Sequence, residues 1–336
     1  MVSSTKQKFL CDYASRGNLS KCRELIESGV QVDASDSENK TPLHRAVCNN
    51  HIQVTKYLLE MGANPNAKDN FEMSPLHYAA EQGNSMICKQ LISSGAKIDA
   101  LNFLHETPLH CSILLTTEYE NCVLFKNFVK TGSASTTRTR IFNFRPNRSP
   151  PHVETEKNRF QTVKCLLVEG ANPNARDGMY RTPLHNAAEK NRIVDIYSTL
   201  IKHGAEIDPL DSYNQTPLQL AILYLAELSS IRCLLERGAN QNTRDRRERT
   251  PLHYAAQKGR IDVCQLLLSY GAKLDVFDDE KWSPLRMAFD YKHHDIVSYF
   301  LECLKTMNVV KEMETERARY GDMYNALDTD GHSHQT

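Results

Sequence analysis

A tetrapeptide recurs along this chain at a nearly constant interval, and this recurrence constrains the fold more than any other feature of the sequence. Thr-Pro-Leu-His or a close variant begins at Thr41, Ser74, Thr107, Thr182, Thr216, Thr250 and Ser283. The intervals are all about 33 residues long, except that the one from Thr107 to Thr182 is more than twice as long. A degenerate copy starts at Lys8, one full period before Thr41, and brings the number of repeats to eight. The chain is therefore predicted to form an array of similar repeats.

The repeat that begins at Thr250 shows what each copy is predicted to form. Thr250 can cap a helix N-terminus, and Pro251 suits the first helical position, where no amide donor is needed. Apolar residues recur at helical spacing up to Gly259 and, in a second stretch, up to Gly271, and both glycines suit helix ends. Each repeat is thus predicted to be a pair of helices and a loop. Neither helix can bury its apolar side alone, so the repeats must stack.

These motifs resemble those of the ankyrin repeat family. Besides the tetrapeptide, a Gly-Ala pair follows the second helix in six repeats, at Gly62, Gly95, Gly170, Gly204, Gly238 and Gly271. The resemblance covers residues 8–304 except for one insertion, and it weakens in the first and last repeats, as expected of caps that face water. It implies an all-α solenoid of about eight stacked helix-turn-helix units with β-hairpin-like finger loops. It also implies non-catalytic protein binding, as a scaffold, adaptor or inhibitor.

The long interval between Thr107 and Thr182 contains one ordinary period and an insertion. The extra residues are placed at 118–158, an irregular basic insertion that is predicted to be disordered. Residues 1–117 then hold the first repeats, and the first helix of the interrupted repeat is expected to reach about Thr117. Residues 159–304 hold the remaining repeats. Residues 305–336 are predicted to extend the last helix and to end in a disordered tail.

Three interpretations of the insertion remain open, namely a recognition arm, a neutral loop and a gene-model artefact. Its alternating arginines and phenylalanines suit contact with an acidic peptide or with RNA. Ser149 precedes a proline in this segment and is a candidate site for a proline-directed kinase.

The composition argues against several functional classes. Basic and acidic side chains number 41 each, so the formal net charge of zero gives no global attraction to nucleic acid or acidic membranes. No apolar stretch is long enough for a signal peptide or a membrane span, so membrane insertion is not expected. Five of the ten cysteines lie in apolar helical patterns, as Cys165 does. This predicts reduced core thiols and a cytoplasmic or nuclear location.

The histidines of the tetrapeptide invite a metal-site hypothesis. They are His44, His77, His110, His185 and His253. With one per repeat they would lie about 10 Å apart in stacked helices and could not converge on one ion. They are therefore interpreted as structural, each joining a helix start to the neighbouring loop. Motifs of phosphate loops, nucleophile elbows and dinucleotide sites do not occur, so no catalytic, cofactor-binding or metal-binding residue is predicted.

The finger loops are predicted to carry the partner-binding residues. Apolar, aromatic and arginine side chains, the types that dominate interface energies, occupy positions expected to face solvent. They are Phe71, Met73, Phe103, Met179, Tyr180, Arg181, Tyr213, Arg246, Arg247, Arg249 and Trp282. Polar positions on the first helices, such as Glu81, Gln82 and Glu189, are expected to line the concave face. The expected partner is one or more proteins, bound by a monomer.

A second hypothesis is a regulator that contacts RNA through the insertion and the basic finger Arg244–Arg249. Nucleic acid is the less expected partner because the chain carries no net charge. A steep salt dependence of binding would favour this hypothesis.

Overall fold

The computed structural model describes residues 2–114, 153–190 and 194–306. The chain divides into two compact bodies, Met1–Glu206 and Ile207–Thr336, here called the N-terminal and C-terminal bodies. The N-terminal body contains α1 (Val2–Ser15), α2 (Leu19–Glu27), α3 (Pro42–Cys48), α4 (Ile52–Glu60), α5 (Pro75–Glu81), α6 (Ser85–Ser93), α7 (Pro108–Ile113), α8 (Val153–Val168), α9 (Pro183–Glu189) and α10 (Val194–Lys202). The C-terminal body contains α11 (Pro217–Leu223), α12 (Leu228–Glu236), α13 (Pro251–Gln257), α14 (Ile261–Ser269), α15 (Pro284–Asp290) and α16 (His294–Thr306). The described residues contain helices and no strand, so the predicted all-α repeat class is confirmed.

Within each body the helices pack in two layers. The first helix of a repeat packs against the first helices of its neighbours, as α3 does against α5 and α13 against α15, and second helices pack likewise, as α6 does against α8. The leucine of the tetrapeptide is inaccessible to solvent in the middle of each stack, as Leu76 and Leu252 show. Ala79 and Ala255 are equally buried, and their small side chains let neighbouring first helices approach closely.

The tetrapeptide histidine closes the first turn of its own helix. In the repeat at Thr41, the Thr41 amide donates to Nδ1 of His44 at 3.1 Å, and the His44 amide donates to Oγ1 of Thr41 at 3.4 Å. The same reciprocal capping box occurs with His77, His110, His185 and His253. Since Nδ1 accepts a backbone amide, the neutral ring carries its proton on Nε2.

That Nε2 proton points to the next repeat. It donates to the carbonyl of the residue just before the next Thr or Ser, from His44 to Met73 at 3.1 Å and from His253 to Trp282 at 3.0 Å. Equivalent bonds run from His77 and His110, each at 3.1 Å. In the repeat at Thr216 the side-chain amide of Gln219 replaces the ring and donates to the Arg249 carbonyl at 2.9 Å. The structural interpretation of these histidines is confirmed.

A second set of inter-repeat hydrogen bonds comes from the loop after each second helix. Oδ1 of Asn66 accepts the Lys97 amide at 2.7 Å, and Nδ2 of Asn66 donates to the Gly95 carbonyl at 2.9 Å. Asn174 and Asn242 repeat this pattern. The fingers at residues 69–73, 177–181 and 245–249 are therefore held on one side by the tetrapeptide side chain of the preceding repeat and on the other side by an asparagine bonded to the following repeat.

The predicted boundaries of the insertion need correction at both ends. Helix α7 ends at Ile113 rather than near Thr117, because Leu114 adopts an extended backbone with φ −75° and ψ 156°. Helix α8 begins at Val153, so residues 153–158 are helical and not part of a disordered segment. The physical reason is that glutamates and lysine in this stretch are good helix formers, which extend the buried second helix back toward the prolines. Ser149 and the predicted tail beyond residue 306 lie outside the described residues.

Arg159 restores a hydrogen bond that the interruption removes. In an uninterrupted repeat, a backbone amide in the turn after the first helix donates to a carbonyl at the end of that helix. The His51 amide, for example, donates to the Ala46 carbonyl at 2.9 Å. In the interrupted repeat the corresponding residue is Arg159, and its guanidinium donates to the carbonyls of Ser112 at 3.4 Å and Leu114 at 2.8 Å. Arg159 is only 5% exposed. A side chain thus satisfies helix-end carbonyls that a backbone turn satisfies elsewhere.

No helix in residues 2–114, 153–190 and 194–306 combines the length and the apolar character needed to cross a membrane.

The inter-repeat histidine bonds predict an acid-sensitive stability. Burial lowers the pKa of His77, His110 and His253 to about 4. Because this folded-state pKa lies below the unfolded value of about 6.5, the stabilisation is complete above about pH 6.5 and is lost as the pH falls toward 4. We expect His253→Gln, which copies Gln219, to unfold at a similar urea concentration at neutral pH and to lose less stability in acid. Each histidine accounts for about 1.4 kcal/mol per pH unit in that window.

The reverse variant, Gln219→His, is the matched control and should lose more stability in acid than the natural chain. Urea unfolding at about pH 7 and about pH 5 measures both variants. Identical acid losses for the three proteins would contradict the histidine explanation.

Arg159→Met keeps the apolar stem and removes the donors to Ser112 and Leu114. We expect a loss of about 1–3 kcal/mol in the unfolding free energy of the N-terminal body, because two buried carbonyls lose their partner. Lys164→Met, an exposed change on the same helix, should cost far less. Equal midpoints in urea for the two variants would show that Arg159 does not close the interrupted repeat.

Candidate protein-binding surface of the finger loops

A single acidic or amide side chain fixes the shape of each finger. Oδ1 of Asp69 accepts the amides of Phe71 at 2.9 Å and Met73 at 3.0 Å, while the Asp69 amide donates to the Met73 carbonyl at 3.1 Å. The equivalent residues are Asp36, Asn102, Asp177, Asp211, Asp245 and Asp278. Sequence reasoning missed this role, although an Asp or Asn stands at the same position before every Thr or Ser of the tetrapeptide.

Backbone hydrogen bonds join neighbouring fingers into a row within each body. In the N-terminal body the Phe103 amide donates to the Phe71 carbonyl at 3.1 Å. In the C-terminal body the Arg246 amide donates to the Tyr213 carbonyl at 3.1 Å, and the Asp279 amide donates to the Arg247 carbonyl at 3.0 Å. The finger tips are therefore held in a fixed register before any partner arrives.

The fingers of the N-terminal body present an apolar row. Phe71 and Phe103 pack against each other with ring centroids 6.0 Å apart, and both are half-buried. The sulfur of Met73 lies 3.4 Å from the amide nitrogen of Asn102, so this side chain also packs on the next finger. Met179 is half-buried as well. Part of the predicted set therefore supports neighbouring fingers while leaving one side of each group in solvent.

Tyr180 is the most exposed aromatic residue of the described chain, at 62%, and its backbone is strained. Its φ is +62°, in the left-handed region that costs an ordinary side chain about 1–2 kcal/mol. The corresponding residue of every finger has a positive φ, and the others are Asn39, Glu72, His105, Asn214, Glu248 and Lys281. A tyrosine at this position gains little from folding, since its ring stays in water.

The fingers of the C-terminal body combine aromatic and charged side chains. Tyr213 is 42% exposed. Trp282 is half-buried, and the guanidinium of Arg286 lies 5.1 Å from its ring centroid. Arg246 and Arg247 are exposed. These four predicted residues keep surface that a partner can contact.

Two predicted contact residues are instead structural. Arg181 is 6% exposed and forms an ion pair with Glu189, whose side chain is also buried. The side chain of Arg249 is 12% exposed, and its Nε lies 3.1 Å from the fully buried carboxylate of Asp278. Arg181 thus turns toward the first helix of its own repeat, and Arg249 turns toward the start of the next finger. The prediction that Arg181 and Arg249 contact a partner is therefore corrected.

The first-helix side of the surface also contains buried polar groups. The hydroxyl of Tyr78 donates to Asp69 at 2.5 Å, and burial together with this carboxylate raises the pKa of Tyr78. Glu81 is 7% exposed and the Glu189 side chain 8%, whereas Gln82 is exposed. Of these three polar positions predicted to line the concave face, only Gln82 is open to a partner.

Burial raises the pKa of eight of the nine described thiols and so favours their protonated, less reactive form. The nine described cysteines are free, and burial raises the pKa of Cys11 and Cys48 to about 12. Across the described ranges, no three His, Cys, Asp or Glu side chains come together as metal ligands would.

Family comparisons agree with the repeat geometry. The model of the family described as ankyrin repeats (3 copies) matches residues 3–69, 152–245 and 224–311, and a second ankyrin repeat model, described as having many copies, matches residues 49–92. These matches cover more than half of the chain. The chain belongs to the ankyrin repeat family.

Curated relatives match the chain over part of their own length. Rabankyrin-5 of Mus musculus is 30% identical over 175 residues, which is 51% of this chain and 15% of that protein. The ankyrin repeat and KH domain-containing protein mask-1 of Caenorhabditis elegans is 33% identical over 149 residues, or 44% and 6% of the two chains. The tyrosine-protein kinase HTK16 of Hydra vulgaris is 28% identical over 154 residues, or 44% and 20%. The chain thus spans a fifth or less of the length of these relatives.

Tyr180→Asn should stabilise the N-terminal body. Asparagine tolerates a positive φ far better than tyrosine, so we expect a gain of about 0.5–1 kcal/mol in unfolding free energy. Tyr213→Asn is the matched control, because Tyr213 is an exposed finger tyrosine without a positive φ. Thermal melts measure both. A Tyr180→Asn variant that melts no higher than Tyr213→Asn would show that the backbone strain has no energetic consequence.

Proposed function

We propose that this chain is a non-catalytic protein-binding module that acts as a scaffold, adaptor or inhibitor, and that it holds its partner on the finger tips. The observation that supports this most directly is Tyr180, an exposed aromatic side chain kept on a strained backbone position. The positive φ belongs to the turn, since every finger has one at this position, and a tyrosine is disfavoured there. Binding is the function available to a ring that is kept at such a position and exposed to solvent.

The rigidity of the fingers supports the same proposal. The carboxylate at the start of a finger, such as that of Asp69, and the backbone hydrogen bonds between fingers fix the finger loops. A partner would therefore not have to order a flexible loop on binding. The exposed aromatic residues Tyr180 and Tyr213 are the type that contributes most to interface energies. We propose that this chain acts as a monomer. We place it in a reducing compartment such as the cytoplasm or nucleus, because its described cysteines are free thiols.

RNA is the less favoured partner. Two of the four arginines of Arg244–Arg249 already have acidic partners, Arg244 with Glu248 at 3.0 Å and Arg249 with Asp278 at 3.1 Å. Asp279 and Glu280 are exposed on the next finger and would repel phosphates. A continuous basic groove of the kind that tracks a nucleic-acid backbone is absent from these fingers.

The proposal is tested by affinity purification from native lysate with the full chain as bait. Tyr180→Ala combined with Tyr213→Ala should reduce the captured partners by about tenfold or more, as truncation of interface aromatics does. Met86→Ala combined with Val168→Ala is the matched control, because these side chains are 58% and 65% exposed on second helices. Both variants should keep the melting behaviour of a folded array. Equal capture by the two variants would exclude the finger tips as the binding surface.

A further inference from the structure

We propose that the three fingers of the C-terminal body, residues 211–215, 245–249 and 278–282, form a charge-selective site for an extended segment of a partner protein. The segment carries two acidic residues, which lie against Arg246 and Arg247, and basic residues one finger further, near Asp279 and Glu280. This inference rests on the proposed function and specifies the chemistry of the partner.

The charges of these fingers fall into two groups. Arg244 and Arg249 are neutralised within the fold by Glu248 and Asp278. Arg246 and Arg247, by contrast, are exposed and form no ion pair with any described residue. The same holds, within the described part of the chain, for the exposed Asp279 and Glu280.

In the N-terminal body, the exposed glutamates of the fingers form ion pairs within the fold. Glu38 lies 3.2 Å from Lys40 and 3.3 Å from Arg45, and Glu72 lies 3.1 Å from Lys68. The exposed glutamates Glu38 and Glu72 of that body are therefore compensated internally. Exposed Arg, Asp and Glu side chains without an ion pair among the described residues occur at Arg246, Arg247, Asp279 and Glu280 in the fingers of the C-terminal body.

The backbone fixes the order of these charges. The Arg246 amide bonds to the Tyr213 carbonyl and the Asp279 amide to the Arg247 carbonyl, so aromatic, basic and acidic tips follow one another on consecutive fingers. The hydrogen bond between the Asp279 amide and the Arg247 carbonyl places these two residues about 5 Å apart, which an extended chain covers in one to two residues. A segment with two acidic residues, a spacer of one residue and then basic residues matches this spacing.

The finger at residues 278–282, which exposes Asp279 and Glu280, disfavours the binding of simple polyanions. Arg249 neutralises Asp278, and Lys281 offsets one of the two remaining charges on Asp279 and Glu280, so a net charge of −1 remains on that finger. An all-acidic peptide or an RNA strand that reached past Arg246 and Arg247 would meet this charge and be repelled. A segment with basic residues at that point would be attracted instead.

Three labelled probes distinguish these ligands by fluorescence anisotropy with the full chain. The first is a peptide of two glutamates, a serine and two lysines, the second an all-glutamate peptide of the same length, and the third a uridine decanucleotide. We expect the mixed-charge peptide to bind at low salt several-fold tighter than either polyanion and to weaken as salt is raised. Tighter binding of the all-glutamate peptide or the RNA, or no binding of the mixed-charge peptide, overturns the inference.

Charge reversal tests the assignment to these residues. Arg246→Glu with Arg247→Glu should weaken binding of the mixed-charge peptide at least fivefold. Adding Asp279→Lys and Glu280→Lys inverts the order of charges and should restore binding, because an extended peptide can lie in the opposite direction. Arg232→Glu with Arg237→Glu, exposed on the second-helix side of the same body, changes the net charge equally and should bind like the natural chain.

The two proposals fail separately. If the tyrosine variant loses its lysate partners while the mixed-charge peptide does not bind, the chain is a protein-binding module and only the charge order is wrong. If the peptide binds and capture is insensitive to the tyrosines, the charged fingers are supported and the tyrosine surface is not. The charge-order inference is also overturned if the variant with all four substitutions melts like the natural chain but does not recover binding.

Discussion

The hydrogen bond from one repeat's tetrapeptide side chain to the next repeat's finger is the interaction on which the rest of the structure depends. One ring of His44, His77, His110 or His253 caps its own helix through Nδ1 and holds the neighbouring carbonyl through Nε2. Because a buried carbonyl without a partner is costly, this bond sets the distance between consecutive repeats. Gln219 shows that the requirement is for a side chain that accepts at one atom and donates at another, rather than for an imidazole.

With the repeats held in this way, the path of each finger is determined by the aspartate or asparagine at its start and by the backbone hydrogen bonds between fingers. Some finger side chains, such as Phe71 and Phe103, pack on neighbouring fingers, while others stay in solvent. The exposed side chains differ between the two bodies. The N-terminal body exposes aromatic and apolar groups such as Tyr180, and the C-terminal body exposes charges such as Arg246 and Glu280 that no described residue neutralises.

The interrupted repeat shows how the array tolerates extra residues. The chain leaves after Leu114 and returns in α8, at the joint between the two helices of one repeat, where neither the finger nor the inter-repeat histidine bond is disturbed. Arg159 supplies to the Ser112 carbonyl the donor that a backbone amide supplies in other repeats. The repeat therefore keeps its hydrogen bonds although its two helices are separated in sequence.

The sequence by itself determined the period, the helix pairs, the Pro at each first helical position and the structural role of the histidines, because these follow from local rules that recur once in every repeat. It also located the fingers. Only the tertiary structure decided which finger residues are exposed and which are buried. Arg181 and Tyr180 are adjacent in sequence, yet one is buried on Glu189 and the other is 62% exposed. Arg249 is paired with Asp278, a residue of the next repeat, while Arg247 is not. Such differences depend on acidic groups that stacking brings close, and no local pattern contains that information.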